Sequence, residues 1–181
     1  MERQKTKCLA MAALCTALMA AGTYLRFPIP GLPVQFTTQT LFVLITGLIL
    51  PPAYSAGAIS AYVLLGIIGF PVFTQGGGPQ TVLTPNFGYL LGFVFAAFIT
   101  SWLFKKLKGK RFSILLAALA GVLAVYVIAL PYAAIISSLY LQKPIALNVL
   151  LTGYFLAFLP LDLAKAVIAS AVAAQLRKAL K

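Results

Sequence analysis

The sequence predicts an all-α integral membrane protein, a bundle of six transmembrane helices. Of its 181 residues, 62% are hydrophobic and 9% are charged, whereas about 45–50% of the residues of a soluble domain are apolar. The mean hydropathy is +1.02. Proline, glycine and basic residues are concentrated between long apolar runs, where they separate one helix from the next. The whole chain, residues 1–181, is therefore interpreted as a single transmembrane domain.

The apolar runs define the helices in chain order. Charged residues 2–7 precede the first run. This run ends in small residues, Ala20, Ala21 and Gly22, as a signal peptide also does, but we interpret it as a membrane helix. Two prolines end the second run in a tight turn, and Pro131 is expected to kink the fifth helix. The connector at residues 26–33 contains three prolines and is predicted to be extended. The predicted helices lie at about 8–25, 37–50, 54–70, 86–104, 113–139 and 148–177.

A glycine- and proline-rich loop at residues 71–85 is the longest interruption of the apolar sequence. Three consecutive glycines at 76–78 allow positive φ and a close approach of the backbone, so Gly77 is a candidate contact for a ligand. Three prolines in the same loop exclude a continuous helix. A turn then leads into the fourth helix, so Asn86 and Tyr89 are predicted to lie where loop becomes helix and to face an enclosed ligand.

The basic residues predict the orientation of the bundle. Eleven of the fourteen lie before helix one, after helix four or at the C-terminus, whereas the opposite connectors contain only Arg26 and Lys143. By the positive-inside rule, both termini are predicted to be cytoplasmic and the loop at 71–85 to face outward. This topology signal accounts for the net charge of +12 without a nucleic-acid partner. The basic cluster at 105–111 is also suited to contact anionic membrane lipid.

Asp162 and Lys165 are the only charges in the interior of a predicted span, away from its ends. They share one helix face, and a charge at bilayer depth costs at least about 2.5–3.5 kcal/mol, so both are predicted to face the bundle interior. The pair either tethers helices as a neutral unit or lines a binding site. Pro160 favours the binding site, because a proline frees a backbone carbonyl and opens the helix locally.

The residue inventory excludes several function classes. Histidine is absent and the only acids are Glu2 and Asp162, so neither a catalytic triad nor an aspartyl dyad can form, and no catalytic residue is predicted. Cys8 and Cys15 are about 10.5 Å apart along one helix, too far for a disulfide. No metal site or cofactor is predicted. The string GGGPQT lacks the phosphate-binding pattern GxxxxGK[ST], so the chain is not expected to hydrolyse ATP.

Three further candidates each admit two interpretations. Gln39 lies deepest in the polar entry to helix two, which also contains Gln35 and three threonines, and it either faces a ligand or belongs to the cap of the helix. Phe73 and Phe93, together with Tyr89, form either an aromatic wall around a ligand or ordinary core.

Ala13, Ala17 and Ala21 recur at four-residue spacing on helix one. Such a ridge of small residues lets another helix approach closely in a membrane, where lipid offers no hydrophobic drive to association. The partner is either another helix of this chain or a helix of another protein. From the residues alone, internal packing is the favoured interpretation.

The string GFPVFTQGGGPQTVLTPNFGYLLGF resembles the signature of the BioY family, the biotin-specific substrate-binding (S) components of energy-coupling factor (ECF) vitamin importers. The resemblance extends to PVQFTTQTLFVLITGLIL before the loop and to PLDLAKAVIASAVA near the C-terminus. It implies high-affinity biotin uptake across the cytoplasmic membrane of a bacterium or archaeon, with biotin as the transported ligand and not as a cofactor. It also implies separate partner subunits, a transmembrane coupling protein and two ABC-type ATPases.

The resemblance further implies roles for the candidate residues. The alanine ridge would dock the coupling protein, in preference to internal packing. Biotin presents ureido N–H donors, a carbonyl and a carboxylate, which suit an Asp acceptor, an Asn amide and a Lys donor. Transport by the chain alone, or as a self-associated dimer, is the alternative to transport with the ECF subunits. The predicted biotin-binding residues are Asn86, Asp162, Lys165, Tyr89, Gln39, Phe73, Phe93 and Gly77.

Overall fold

The computed structural model describes residues 2–27, 35–107 and 112–179, and within these ranges the chain folds into six helices. Four of them are long and apolar enough to cross a membrane, namely the first and the last three, while the second and third are shorter. The predicted six-helix bundle is thereby confirmed. The helices are α1 (Glu2–Tyr24), α2 (Gln39–Ile49), α3 (Pro52–Ile68), α4 (Phe87–Leu107), α5 (Ser113–Tyr140) and α6 (Leu147–Ala179).

The observed helix starts differ from the predicted ones for identifiable reasons. α1 begins at Glu2 and not near residue 8, because the charged segment before the apolar run continues the helix. α2 begins later than predicted, since the residues just before it pair as a strand: β2 (Phe36–Thr37) is antiparallel to β1 (Arg26–Phe27). This short ladder is absent from the all-α prediction. α3 begins at Pro52, a residue type favoured in the first turn because its missing N–H has no partner there anyway.

The last two helices contain departures from regular α-helix. α5 includes Pro131 and ends in a π-helical turn, Ile136–Tyr140. α6 has a π-helical segment, Leu150–Leu156, and becomes regular from Leu159 onwards. Pro160, in the first turn of this regular part, cannot donate to the preceding turn, which accounts for a change of hydrogen bonding at this point. The opened helix predicted before Asp162 is therefore present.

The helices pack around α4, which contacts α2, α3 and α5. Close approach of α4 and α5 depends on small residues: a Cβ added to Gly92 would lie 2.8 Å from the Val125 carbonyl oxygen. α1 packs on α2 and α3, and the regular part of α6 packs on α2 and α5. At one end of the bundle Arg177 donates to the Leu48 carbonyl oxygen at 2.7 Å, so the C-terminal ends of α2 and α6 lie together.

The loop at 71–85 folds onto the opposite end, against α3. The Phe73 ring occupies the space that a side chain on Gly66 would need, since a Cβ there would lie 2.0 Å from Phe73 Cζ. The Gly78 amide donates to the Gly66 carbonyl oxygen at 2.7 Å, and Gly78 adopts a φ of 115°, which glycine tolerates best. A short 3₁₀ turn, Pro79–Leu83, then leads to α4. Most of the predicted connector at 26–33, and residues 108–111 of the basic cluster, lie outside the described residues.

Candidate functional site

A cavity lies beneath the loop at 71–85, between the starts of α2 and α4 and the middle of α6. Seven of the eight predicted binding residues line it: Gln39, Phe73, Asn86, Tyr89, Phe93, Asp162 and Lys165. These residues come from widely separated parts of the sequence, so the fold brings together what the sequence analysis selected one by one. The other residues that line the cavity are Gln35, Thr37, Thr40, Thr74, Gln75, Thr81, Thr84, Phe87, Leu90 and Phe158.

The short length of α2 places the polar start of this helix inside the bundle. With eleven residues, α2 rises only about 16 Å, roughly half of a hydrocarbon core of about 30 Å. Its first residue, Gln39, is therefore set back from the loop end and is 4% exposed. The space above it is enclosed by the loop and by the start of α4.

Asp162 and Lys165 form a hydrogen-bonded ion pair in the cavity wall. Lys165 Nζ donates to Asp162 Oδ1 at 2.8 Å, and the two residues are 8% and 6% exposed, respectively. The second carboxylate oxygen, Oδ2, accepts the hydroxyl of Tyr126 at 2.6 Å. Lys165 Nζ also lies 4.2 Å from the centre of the Phe36 ring, where the face of an aromatic ring attracts a cation. Each carboxylate oxygen keeps capacity for a further donor, so this neutral pair can still bind a polar ligand group.

Asn86 and Gln35 offer polar atoms that no described residue satisfies. Asn86 lies immediately before α4, lines the cavity, and its side-chain amide makes no hydrogen bond to the described residues. The side-chain carbonyl oxygen of Gln35 is buried and has no hydrogen-bond partner among them. Buried polar atoms without partners are costly, so a ligand that supplies donors here would be stabilised.

Aromatic side chains form the apolar wall. Phe73, Phe93 and Phe158 line the cavity and are at most 6% exposed. Tyr89 is held by a hydrogen bond from its hydroxyl to the Tyr154 carbonyl oxygen at 2.5 Å, so its ring faces the cavity in a fixed position. These rings also belong to the hydrophobic core. The two interpretations of the aromatic residues, ligand wall and core, are therefore compatible.

The structure places two other predicted sets outside the cavity. Gly77 is not among the lining residues, and a Cβ added to it would lie 2.1 Å from the Phe70 carbonyl oxygen, so glycine is needed there for loop packing. Ala13, Ala17 and Ala21 are all exposed on α1. The buried face of α1 consists of other residues, which contradicts the interpretation that the ridge packs within this chain. That buried face is Cys15, Met19, Gly22 and Thr23.

Sequence reasoning missed several residues of the site. Tyr126, the partner of Asp162, lies in the apolar run of α5, where a tyrosine gives no sequence signal of a polar contact. Gln35 and Thr37 belong to the polar entry of α2, from which the sequence predicts only Gln39 as a binding residue. Within the described ranges, no three His, Cys, Asp or Glu side chains group together as metal ligands would.

A multi-pass helical bundle without a nucleotide-binding motif, which encloses a polar and aromatic cavity under a loop at one end, has the architecture of the substrate-binding subunit of a membrane transporter. The chain belongs to the BioY family, whose sequence profile matches residues 1–181. A relative from Lysinibacillus sphaericus named "Probable biotin transporter BioY" is 34% identical over 158 residues, which cover 85% of this chain and 79% of the relative. The "Biotin transporter BioY" of Thermotoga maritima is 32% identical over 171 residues, with 92% and 94% coverage.

Solved structures agree with this assignment. The crystal structure of "the S-component for biotin from an ECF-type ABC transporter" superposes with a TM-score of 0.84 at 30% identity, covering 98% of this chain and 94% of that one. A second structure, "the S component of a bacterial ECF transporter", superposes with a TM-score of 0.54 at 17% identity and 97% coverage of this chain. The second likeness supports the fold alone. The chain is therefore a transporter subunit and not an enzyme.

Proposed function

We propose that this chain is a biotin-binding S component that mediates biotin uptake across the cytoplasmic membrane. The observation that carries the proposal is the buried Asp162–Lys165 pair in the wall of an aromatic cavity, directly beneath the loop at 71–85. Relatives named as biotin transporters, and a biotin S component of closely similar fold, support the same ligand.

The chemistry of biotin matches the chemistry of the cavity. The ureido ring presents N–H donors and a carbonyl acceptor, for which the carboxylate of Asp162, the amide of Asn86 and the ammonium group of Lys165 are suitable partners. The bicyclic ring and the aliphatic chain are apolar and suit the wall formed by Phe93 and Tyr89. The carboxylate at the end of the chain needs a donor, which Lys165 or Asn86 also offers. The polar residues would select the ligand, and the aromatic residues would desolvate it.

The charges of the bundle support one orientation in the membrane. Lys105, Lys106 and Arg177 lie at the end remote from the loop, as does the charged start of α1. We propose that this end is cytoplasmic, by the positive-inside rule, and that the cavity opens outward. Lys106 Nζ lies over the Trp102 ring, 4.4 Å from its centre, and tryptophan and lysine side chains are both typical of the membrane interface. The cavity would then capture biotin from outside the cell.

Energy for uptake would come from other subunits, a transmembrane coupling protein and two ABC-type ATPases. The exposed ridge of Ala13, Ala17 and Ala21 on α1 is the surface we propose for docking the coupling protein. Small exposed residues at this spacing let a second membrane helix approach closely. Transport by the chain alone or as a dimer is the alternative mode.

Biotin titration of the purified protein in detergent tests the ligand. We expect saturable binding measured by calorimetry and no binding of thiamine, which lacks a ureido ring. Absence of saturable biotin binding by folded, monodisperse protein would contradict the proposal. Uptake of labelled biotin by cells that express the chain with and without the ECF subunits then separates energised transport from transport by the chain alone.

Replacement of Ala17 by Trp tests the docking surface. Because Ala17 is exposed and the cavity lies elsewhere, we expect loss of co-purification with the coupling subunit and loss of ATP-dependent uptake, with biotin affinity almost unchanged. Val127→Trp is the matched control, since Val127 is 71% exposed on a different helix, α5, which packs mainly on α4. Equal loss of assembly in both variants, or retained assembly in Ala17→Trp, would refute the docking assignment.

A further inference from the structure

Gln39 is held by a cluster of hydrogen bonds below the cavity floor. Its side-chain Nε2 donates to the Tyr62 hydroxyl at 2.6 Å and to the Thr23 hydroxyl at 3.0 Å. Its side-chain oxygen accepts the Thr37 hydroxyl at 3.3 Å. Gln39, Tyr62 and Thr23 are at most 4% exposed. The cluster joins three helices, because Thr23 lies on α1, Gln39 on α2 and Tyr62 on α3.

The acceptors of the two hydroxyl protons determine the directions of the hydrogen bonds to Gln39. The Tyr62 hydroxyl donates to the Val72 carbonyl oxygen at 2.8 Å, and the Thr23 hydroxyl donates to the Met19 carbonyl oxygen at 3.3 Å. The two hydroxyls also lie 3.1 Å apart, where either can donate to the other. Whether its single proton goes to the carbonyl oxygen or to the neighbouring hydroxyl, each hydroxyl can only accept from Gln39. The amide of Gln39 must therefore turn its NH₂ group towards Tyr62 and Thr23. In the opposite orientation the side-chain oxygen of Gln39, which can only accept, would lie against two hydroxyl oxygens that have no proton left to donate.

This orientation determines which atom of Gln39 is available to a ligand. Both N–H groups of the amide are used within the cluster, whereas the side-chain oxygen accepts one hydrogen bond and can accept a second. Gln39 lines the cavity. A ligand group that meets this side chain must therefore be a donor.

We propose that Tyr62 and Thr23 are positioning residues that hold the Gln39 amide with its oxygen towards the cavity, so that Gln39 accepts an N–H of the bound ligand. This inference rests on the proposed function, because the biotin ureido ring is the ligand group that supplies such an N–H. Neither Tyr62 nor Thr23 lines the cavity. Both act through Gln39 and contribute to the discrimination between a donor and an acceptor at this point of the ligand.

A double-mutant cycle in biotin affinity tests the positioning role. Tyr62→Phe keeps the ring, which packs edge-on against Phe73 with 5.5 Å between centres, and removes only the hydroxyl. We expect it to weaken biotin binding about two- to tenfold, the effect of one neutral hydrogen bond. In a Gln39→Met background the same substitution should change the affinity by less than about twofold, because the group that it positions is gone.

Tyr132→Phe is the matched control for the cycle. The Tyr132 hydroxyl donates to the Val82 carbonyl oxygen in the loop, as Tyr62 does to Val72, but Tyr132 makes no hydrogen bond to Gln39. Tyr132→Phe should change the biotin affinity by the same factor in the wild-type and in the Gln39→Met background. Equal factors for Tyr62→Phe in both backgrounds would show that Tyr62 only anchors the loop, and would overturn the proposal. Should Tyr62→Phe not fold, Thr23→Val takes its place in the same cycle, with the same expectation.

Ligand analogues test the direction of the hydrogen bond. Biotin methylated at either ureido nitrogen lacks one donor, and for one of the two isomers we expect the affinities of wild type and Gln39→Met to agree within about twofold. If Gln39→Met weakens the binding of both isomers by the same factor as it weakens the binding of biotin, Gln39 does not accept a ureido N–H. If the wild type does not bind biotin, the proposed function is wrong, and this inference, which rests on it, is wrong as well. If the wild type binds and the cycle is additive, only the inference fails.

Discussion

Substitution of Asp162 by Asn is expected to weaken biotin binding more than tenfold. Asp162 is 6% exposed and holds two donors, Lys165 at 2.8 Å and Tyr126 at 2.6 Å. The carboxamide has nearly the same shape as the carboxylate but no charge, and one of its two groups is a donor. A ligand N–H that was bound by a carboxylate loses a hydrogen bond to a charged group, worth about 1.5–3 kcal/mol, or roughly 10- to 150-fold in Kd.

The same substitution leaves the Lys165 ammonium group buried without a counter-ion. Loss of one partner of a buried pair typically costs about 3–5 kcal/mol of stability, so the thermal unfolding temperature must be measured beside the affinity. Glu2→Gln is the charge-matched control, because Glu2 is the only other acid of the chain and is exposed at the remote end. Calorimetric titration should give wild-type affinity for Glu2→Gln. A folded Asp162→Asn protein that binds biotin within about twofold of wild type would place the ligand elsewhere.

Three further outcomes are expected from the same site. Lys165→Ala should also weaken biotin binding more than tenfold. Because Asp162 and Lys165 belong to one network, the double mutant should lose less binding free energy than the sum of the two single mutants, which a double-mutant cycle by calorimetry measures. Tyr126→Phe keeps both members of the Asp162–Lys165 pair and should weaken binding less than Asp162→Asn does in the same titration. Cleavage between Phe73 and Pro85 in limited proteolysis should slow when biotin is saturating, and equal rates with and without biotin would refute closure of the loop over the ligand.

The charged and loop-adjacent members of the cavity were predictable because each breaks a local pattern. Asp162 and Lys165 interrupt an apolar run, where charges must face an interior, and Asn86 directly follows the loop that interrupts the membrane sequence. Each signal lies within a few residues of the site member that it identifies. The apolar runs also located six helices, because proline, glycine or basic residues separate one run from the next.

The supporting contacts were not predictable because they depend on distant segments. Tyr126 reaches Asp162 across 36 residues, and Tyr62 meets Gln39 across 23. A tyrosine in an apolar run has the same local sequence whether its hydroxyl faces lipid, core or a carboxylate. The set-back start of α2 likewise depends on the pairing of β1 with β2, which a two-residue strand does not reveal in sequence.

The geometry of α1 separates the proposed docking surface from the cavity. Successive residues of a helix are rotated by about 100°, so positions two apart, such as Ala17 and Met19, point to nearly opposite sides. Met19 is fully buried while Ala17 is exposed, as this rotation requires. A bulky residue in the ridge therefore cannot touch the cavity directly. A change of biotin affinity in Ala17→Trp could arise only from movement of α1 as a whole, which would draw Thr23 away from Gln39, and it would then match the loss measured for Thr23→Val.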